Sequence, residues 1–415
     1  MSQVVKSPAK GGPRARGRTR RSQRAARAVS VTGAVVLFVV LGVLVVPRPD
    51  GSAAAAGRHP RLARSAVRPR WIAQLEARVK ARKVPGHLAP GSNPAVLPGP
   101  VLIADRNNSR LLLVDPEGRI LWQYPATGVA TQDMASYSPD DAFFGPGGRH
   151  IIATEESRFA ISVITVPSGH LSSGYGHLGT SGSAPGYLDN PDDAMLLPNG
   201  NIIAADIKNC RLLYLSPSDP APVHVYGQTT SYCLHQPPAR FGSPNGMFPM
   251  TNGDWLVTEI NGDWVDEMTT SGRILWSVHP PGITYPSDTN EVSPGVFLTV
   301  AYTNPGVVEE FNASGQVLWR YAPTGAAALD QPSLALPLPN GDILMNDDWN
   351  DRVVVIDPRT DQVVWQYGAT GVPGIEPGYL YKPDSVDLAP PYSLVMQHTK
   401  MMGIPPFPVP TGTTP

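Results

Sequence analysis

The chain has 415 residues, 41 % hydrophobic and 16 % charged, which is apolar enough for a folded core and too apolar for an intrinsically disordered protein. Its formal net charge of −1 hides two opposite parts: residues 1–95 carry 19 Lys/Arg against two acidic residues, and residues 96–415 carry 14 against 32. The acidic part would repel phosphates, which argues against nucleic acid as a partner.

Residues 1–27 form a basic tail, expected on the cytoplasmic side. Residues 28–46, AVSVTGAVVLFVVLGVLVV, are an uncharged apolar run of about 28 Å as a helix, close to a bilayer's hydrocarbon thickness. Lys6, Lys10, Arg14, Arg16, Arg18, Arg20, Arg21, Arg24 and Arg27 precede it with no acidic residue among them. Positive charge stays inside, so the expectation is a single-pass protein of the bacterial cell membrane, with everything after residue 46 outside. The alternative is secretion after cleavage near Ala56, in the small-residue run Ala53–Ala56. Residues 47–95 read as an Ala/Arg/Pro-rich linker. Within it, Trp71–Lys83 predicts a short basic helix with Trp71, Ile72, Leu75 and Val79 on one side. That helix could rest on anionic headgroups, lean on the acidic part, or stay solvated.

From residue 96 to 400 one motif recurs: a turn, a β-rich run ending in Asp, a polar hairpin, then a β-rich run opening with Arg. LPGPVLIADRNNSRLLLVD (97–115), LLPNGNIIAADIKNCRLLYL (196–215) and PLPNGDILMNDDWNDRVVVID (337–357) are three copies. Repeats of roughly 40–50 residues with four short strands predict an all-β propeller of four-stranded blades. With strands lettered A (innermost) to D, strand B is expected near 101–105, 151–154, 201–206, 254–259, 296–301, 342–347 and 393–398. Strand C follows near 111–115, 161–166, 211–215, 264–269, 307–311 and 352–356. Strand D carries Trp122, Trp276, Trp319 and Trp365. Strand A follows Pro139-Asp140, Pro191-Asp192, Pro244-Asn245, Pro332-Ser333 and Pro383-Asp384, with a weak first copy at 94–97. The C-terminal strand A is expected to complete the first blade and so remove free sheet edges. Six blades are favoured; seven, with a degenerate last one, is the alternative. Residues 401–415 read as a disordered Pro-rich tail.

The spacing Asp-x-x-Asn-x-Arg occurs at Asp105/Asn108/Arg110, Asp206/Asn209/Arg211 and Asp347/Asn350/Arg352. Asn is expected to take the positive φ of a tight hairpin, and Arg to form a bidentate pair with Asp. This pattern resembles the NHL repeat. So does Gly-x-x-Gly-x-x-Pro-Gly-Tyr-Leu-x-x-Pro-Asp, found at Gly179–Asp192 and Gly371–Asp384. The strand-D Trp after an Asp/Gly turn resembles the PQQ-like propellers. The resemblance covers about 300 residues and implies the fold, not one activity, because such scaffolds include enzymes, sensors and binding proteins. The repeated Arg, Asp and Trp are therefore expected to pack blades.

Function on such a scaffold is expected at the channel mouth, where Asp140, Asp141, Asp192, Asp193, Asn245, Asp288, Asn290 and Asp384 gather oxygen ligands. Asp140, Asp192, Asp193, Asn245, Asp288 and Asp384 are the candidate ligand-binding residues. Asp192, Asn245, Asp288 and Asp384, each near the start of a strand A, are the candidate ligands for Ca²⁺ or another divalent cation. Separately solvated turn caps are the alternative for these residues. No cofactor is certain. His235 and His279 fall in D–A loops, and no Gly-x-Ser-x-Gly elbow, Walker loop, CxxC or zinc pattern occurs. Cys210, in a B–C hairpin, and Cys233, in the next D–A loop, emerge on one face and are expected to form a disulfide outside the cytoplasm. The expected function is a ligand- or protein-binding scaffold serving an envelope protein or small ligand. The alternatives are a metal-dependent lactonase-like hydrolase or an arylsulfotransferase-like enzyme, the latter needing a channel histidine. A PQQ dehydrogenase normally has eight Trp-motif blades, against four such Trp here.

Overall fold

The computed structural model describes residues 68–126, 137–230 and 232–394. Six antiparallel four-stranded sheets are arranged as blades. Blade 1 is closed by the last strand, Pro383–Leu388, which lies beside Val101–Asp105 with Ile103 opposite Val386. The two ends of the propeller are thus held by one sheet, and the last strand leaves no bare inner edge. Strands A of the other five blades are Ala142–Phe144, Pro191–Leu196, Pro244–Pro249, Pro286–Ser293 and Ala335–Pro337. The expected seventh strand B at 393–398 does not start as a strand, and residues 395–398 lie outside the described residues. The weak first strand A at 94–97 is instead a single 3-10 turn, Pro94–Val96, capped by Asn93.

The strands alternate with short polar turns, and their apolar residues fill the space between neighbouring blades, as in Leu112, Ile152, Leu213, Leu256 and Val355. Three of the strand-D tryptophans clip one blade to the next: Trp122 donates to Pro167 O, Trp319 to Asp361 and Trp365 to Pro116 O, at 2.9–3.1 Å. Trp276 donates within its own blade, to Glu267, and packs its ring on Phe297 of the next blade at 5.0 Å.

The Asp-x-x-Asn-x-Arg turns differ from expectation in two ways. The left-handed residue is the one after Asn, namely Ser109, Cys210 and Asp351 (φ 57°, 57° and 54°), because the Asn amide is engaged in bonding back to the turn's Asp. Arg meets a single oxygen of that Asp, as Arg110 Nε does at 2.6 Å on Asp105 Oδ2. The other oxygen accepts a backbone N–H from the D–A loop: Tyr381 to Asp105, Asp189 to Asp206 and Asp330 to Asp347. Arg110 and Arg211 also donate to D–A loop carbonyls, Ile375 O and Ser183 O. The motif clasps two loops of one blade together.

The stretch from Arg68 to Ala95, read as linker, folds against the propeller. Helix Arg70–Ala81 buries Ile72 completely and packs Trp71, Leu75 and Val79 against blades 1 and 2, with Trp71 Nε1 donating to Gly148 O at 2.9 Å. Residues 89–93 then bond along strand Gln362–Tyr367 of blade 6. Among the described residues no helix is long and apolar enough to cross a membrane; the run 28–46 and the Pro-rich tail lie outside them.

Candidate functional site

The mouth is built by one local device repeated around the axis. In five blades a residue in the left-handed region precedes a proline: Asn190, Ser243, Tyr285, Gln331 and Lys382, with φ between 50° and 56°. In blades 1, 3, 4 and 5 the strand register slips directly after that proline. The slipped residues are Asp384, Asp192-Asp193, Asn245 and Ser287-Asp288. A bulge leaves its extra residue unpaired and re-aims its side chain. Here the bulges turn oxygen-bearing side chains into the axial cleft.

That cleft has a volume of about 90 Å³ and is lined by Asp140, Asp141, Asp192, Asn245, Asp288 and Asp384 among others. Asp193 joins Asp141 and Asp288 in a buried inner triad whose ligand oxygens lie within 4.8 Å of one another; Asp140, Glu156 and Asp192 form an outer triad of the same spacing. All six sequence-selected residues therefore converge on one place. Asn290, by contrast, faces blade 6 and donates to Ala335 O at 3.0 Å. Farther along the strands, Phe143 and Phe248 meet edge to face at 5.9 Å.

Sequence reading missed the groups supplied by the B–C turns. The first residue after strand B enters the cleft in four blades, as Arg106, Glu156, Ile207 and Tyr302. That register, one residue past the turn's acid or its equivalent, was the available signal. Arg106 ion-pairs with Asp140, Asp384 and, at 2.9 Å, Glu156. It acts as a tethered cation: burial works against its charge, but Asp384, Asp140 and Glu156 hold its pKa up. Burial likewise works against the Asp384 carboxylate, yet Arg106 keeps it below the usual range.

Among the described residues the inner triad has no ion pair of its own, and Arg106 only partly offsets the shift at Asp141. Burial, then neighbouring carboxylates, pushes Asp141 and Asp193 well above the ordinary range, and burial pushes Asp288 up to about 7. Both oxygens of Asp193 and Oδ1 of Asp288 are buried without a hydrogen-bond donor. Gly246 lies between them: a Cβ there would stand 2.6 Å from Asp288 Oδ1 and 2.8 Å from Asp193 Oδ2, so only glycine lets the two carboxylates approach across blade 4. Asn245 turns its amide to Ser287 Oγ at 3.2 Å.

Away from the axis, Cys210 and Cys233 form the expected disulfide. His235 and His279 do not reach the cleft. They flank Trp264 on either side, at centroid distances of 4.1 and 3.5 Å.

Residues 229–375 match the family model described as outer membrane protein assembly factor BamB, a PQQ-like repeat family. Match and six-bladed architecture together fit a PQQ-like β-propeller repeat protein. No curated protein matches the sequence. Among solved structures, a protein of unknown function from Bacteroides caccae is similar at 17 % identity, covering 70 % of this chain and 98 % of that one, with a TM-score of 0.49. Virginiamycin B lyase from Staphylococcus aureus, with quinupristin, is similar at 17 % identity over 57 % of this chain and 71 % of that one, with a TM-score of 0.41. No chemistry is taken from either likeness.

Proposed function

We propose that this PQQ-like propeller is a membrane-tethered, extracytoplasmic binding scaffold whose axial cleft takes a hard divalent cation, Ca²⁺ being the reference ion. The observation carrying this reading is the inner triad: Asp141, Asp193 and Asp288, from three blades, are buried, both Asp193 oxygens and Asp288 Oδ1 are unpartnered, and no lysine or arginine is ion-paired to the three among the described residues. Buried carboxylates are expensive unless a cation or proton relieves them, and Ca²⁺ takes oxygen ligands. Size agrees. About 90 Å³ holds an ion with a few waters at about 30 Å³ each, and falls far below the roughly 300–1,000 Å³ of a pocket for an organic ligand. When bound, the ion would neutralise the triad and present open coordination positions to a ligand at the mouth. Titration calorimetry of the full chain with Ca²⁺ tests this, with Asp193→Asn as control; the absence of saturable binding in the wild type ends the metal reading.

The partner is proposed to be an envelope protein. The description of the matching family, an assembly factor, favours a protein-binding role over an enzymatic one. The mouth also carries an aromatic rim of Tyr285, Tyr302 and half-exposed Trp349, with Lys382 Nζ 3.0 Å over the Trp349 ring. Acidic groups ringed by aromatic faces suit a basic side chain of a partner. The hydrolase reading would need its substrate above the cleft, since the space within suits an ion. The sulfotransferase reading lacks support because no histidine among the described residues lines the cleft. An outside location is proposed from residues 1–46 and is supported by the disulfide. Protease added to intact spheroplasts should degrade the propeller; protection until the membrane is opened would refute that orientation.

A further inference from the structure

Blade 4 holds a second group of ligating side chains that shares no residue with the axial cleft. Glu259 ends strand Trp255–Glu259, Asp266 lies within strand Trp264–Met268, and His235 comes from the loop entering the blade. His235 Nδ1 stands 3.1 Å from Glu259 Oε1 and 3.8 Å from Asp266 Oδ2, and the three ligand atoms lie within 4.8 Å of one another. Both carboxylates are fully buried, at 0 % exposure. Glu259 Oε2 accepts the Gly242 N–H, His235 Nδ1 is the near neighbour of Glu259 Oε1, and both Asp266 oxygens are buried without an aligned hydrogen-bond donor. Among the described residues no lysine or arginine ion-pairs with either acid. Two adjacent buried carboxylates without a fixed cation are a costly arrangement, and the imbalance points to a missing positive charge.

We propose that His235, Glu259 and Asp266 bind a borderline divalent cation of the Zn²⁺ or Co²⁺ kind. The donor set decides the class. One imidazole nitrogen with two carboxylates suits Zn²⁺ and Co²⁺, whereas Ca²⁺ takes six to eight oxygens. Three protein ligands leave a further coordination position, and the His235 side chain, 17 % exposed, provides the route in. The ring is held in place from three directions. It stacks on Trp264 with an interplanar angle of 11°, the Cys210–Cys233 disulfide anchors the chain two residues before it, and Asn261 donates to Cys233 O at 3.1 Å. A ligand whose rotamer and backbone are both fixed is preorganised for metal.

The test uses the untagged full chain in detergent, stripped with chelator and dialysed. Zn²⁺ binding is followed by titration calorimetry and Co²⁺ binding by visible absorption. The wild type should take up one equivalent at this site. His235→Ala should weaken it by more than about a hundredfold, beyond the roughly 10–100-fold loss typical of an outer-sphere partner. That variant changes a partly exposed loop residue, and circular dichroism checks its fold. Glu259→Gln should act in the same direction. Asp288→Asn should leave Zn²⁺ binding unchanged, and His235→Ala should leave any Ca²⁺ response unchanged, so this proposal and the axial-cleft reading can fail separately. No saturable binding in the wild type would overturn the proposal and leave a proton shared between Glu259 and Asp266 as the charge relief. Equal binding by His235→Ala would overturn it too.

Discussion

Asp288→Asn should make the metal-free protein more stable near neutral pH while abolishing its response to Ca²⁺. Asp288 is 2 % exposed, and burial pushes its carboxyl up to about 7. An ordinary aspartate titrates near 3.9, so the folded protein holds a proton that the unfolded chain releases once pH passes about 4. Because the folded-state pKa is the higher one, the native state binds more protons, and stability falls as pH rises through the window from about 4 to about 7. At about 1.36 kcal/mol per unit, and with the group half-titrated by pH 7, the step from pH 5 to pH 7 removes on the order of 2 kcal/mol. An asparagine of similar shape has no charge to bury, although its amide needs partners, so the net gain near pH 7.5 should be about 2 kcal/mol. For a propeller of about 300 residues, with an unfolding entropy of about 2.1 cal/mol/K per residue, that is a rise in Tm of roughly 3 °C. In millimolar Ca²⁺ the order should reverse. Ion binding to the folded wild type adds about 2.7 kcal/mol at a hundredfold excess over Kd, and the variant gains little. The assay is thermal melting of both proteins by circular dichroism, in chelator and in Ca²⁺, near pH 5 and near pH 7.5. The variant-minus-wild-type difference isolates this group from the other carboxylates. A variant no more stable than wild type near pH 7.5 in chelator would refute the burial argument. An equal Ca²⁺ shift in both proteins would place the ion elsewhere.

Arg106→Ala removes the tethered cation from Asp140, Asp384 and Glu156. With the guanidinium a quarter exposed, it should lower stability in chelator by about 2 kcal/mol and enlarge the Ca²⁺-induced rise in Tm, since three freed carboxylates then face the ion. Gly246→Ala places a Cβ against Asp288, Asp193 and Phe248. It should cost about 1–3 kcal/mol and weaken Ca²⁺ binding by calorimetry, because the carboxylates must separate. Reduction of Cys210–Cys233, with a sequence separation of 23, should cost about 3 kcal/mol in the chain-entropy account, read as a lower Tm under reductant.

Local chemistry determined much of this protein. Alternating apolar residues and Asp-to-Arg turns marked strands B and C of all six blades, and tryptophans marked strand D of four, while strand D of blades 2 and 3, His170–Gly176 and His224–Tyr226, carried no such mark. The unpaired C-terminal Pro383-Asp384 segment marked the closure of blade 1. The turn before each strand A pointed to Asp140, Asp192, Asp193, Asn245, Asp288 and Asp384, because a residue at the start of the innermost strand has few directions to face but the axis. The cysteines were legible for a similar reason, since both loop types leave the same end of a blade.

Tertiary structure alone decided how those groups neutralise one another. Arg106 meets Asp384 across 278 residues of sequence, so nothing local distinguishes it from an exposed arginine in a turn. The division into an outer set that includes the Arg106 ion pairs and an inner triad without one depends on distances of a few ångströms between blades, and on a glycine in blade 4 that leaves room for carboxylates from blades 3 and 5. The grouping of His235 with Glu259 and Asp266 was invisible for the same reason: its spacing in sequence matches no ligand motif, and only the folding of a loop onto two strands brings it within reach. Strand pattern is set by neighbours in sequence. Charge balance is set by neighbours in space.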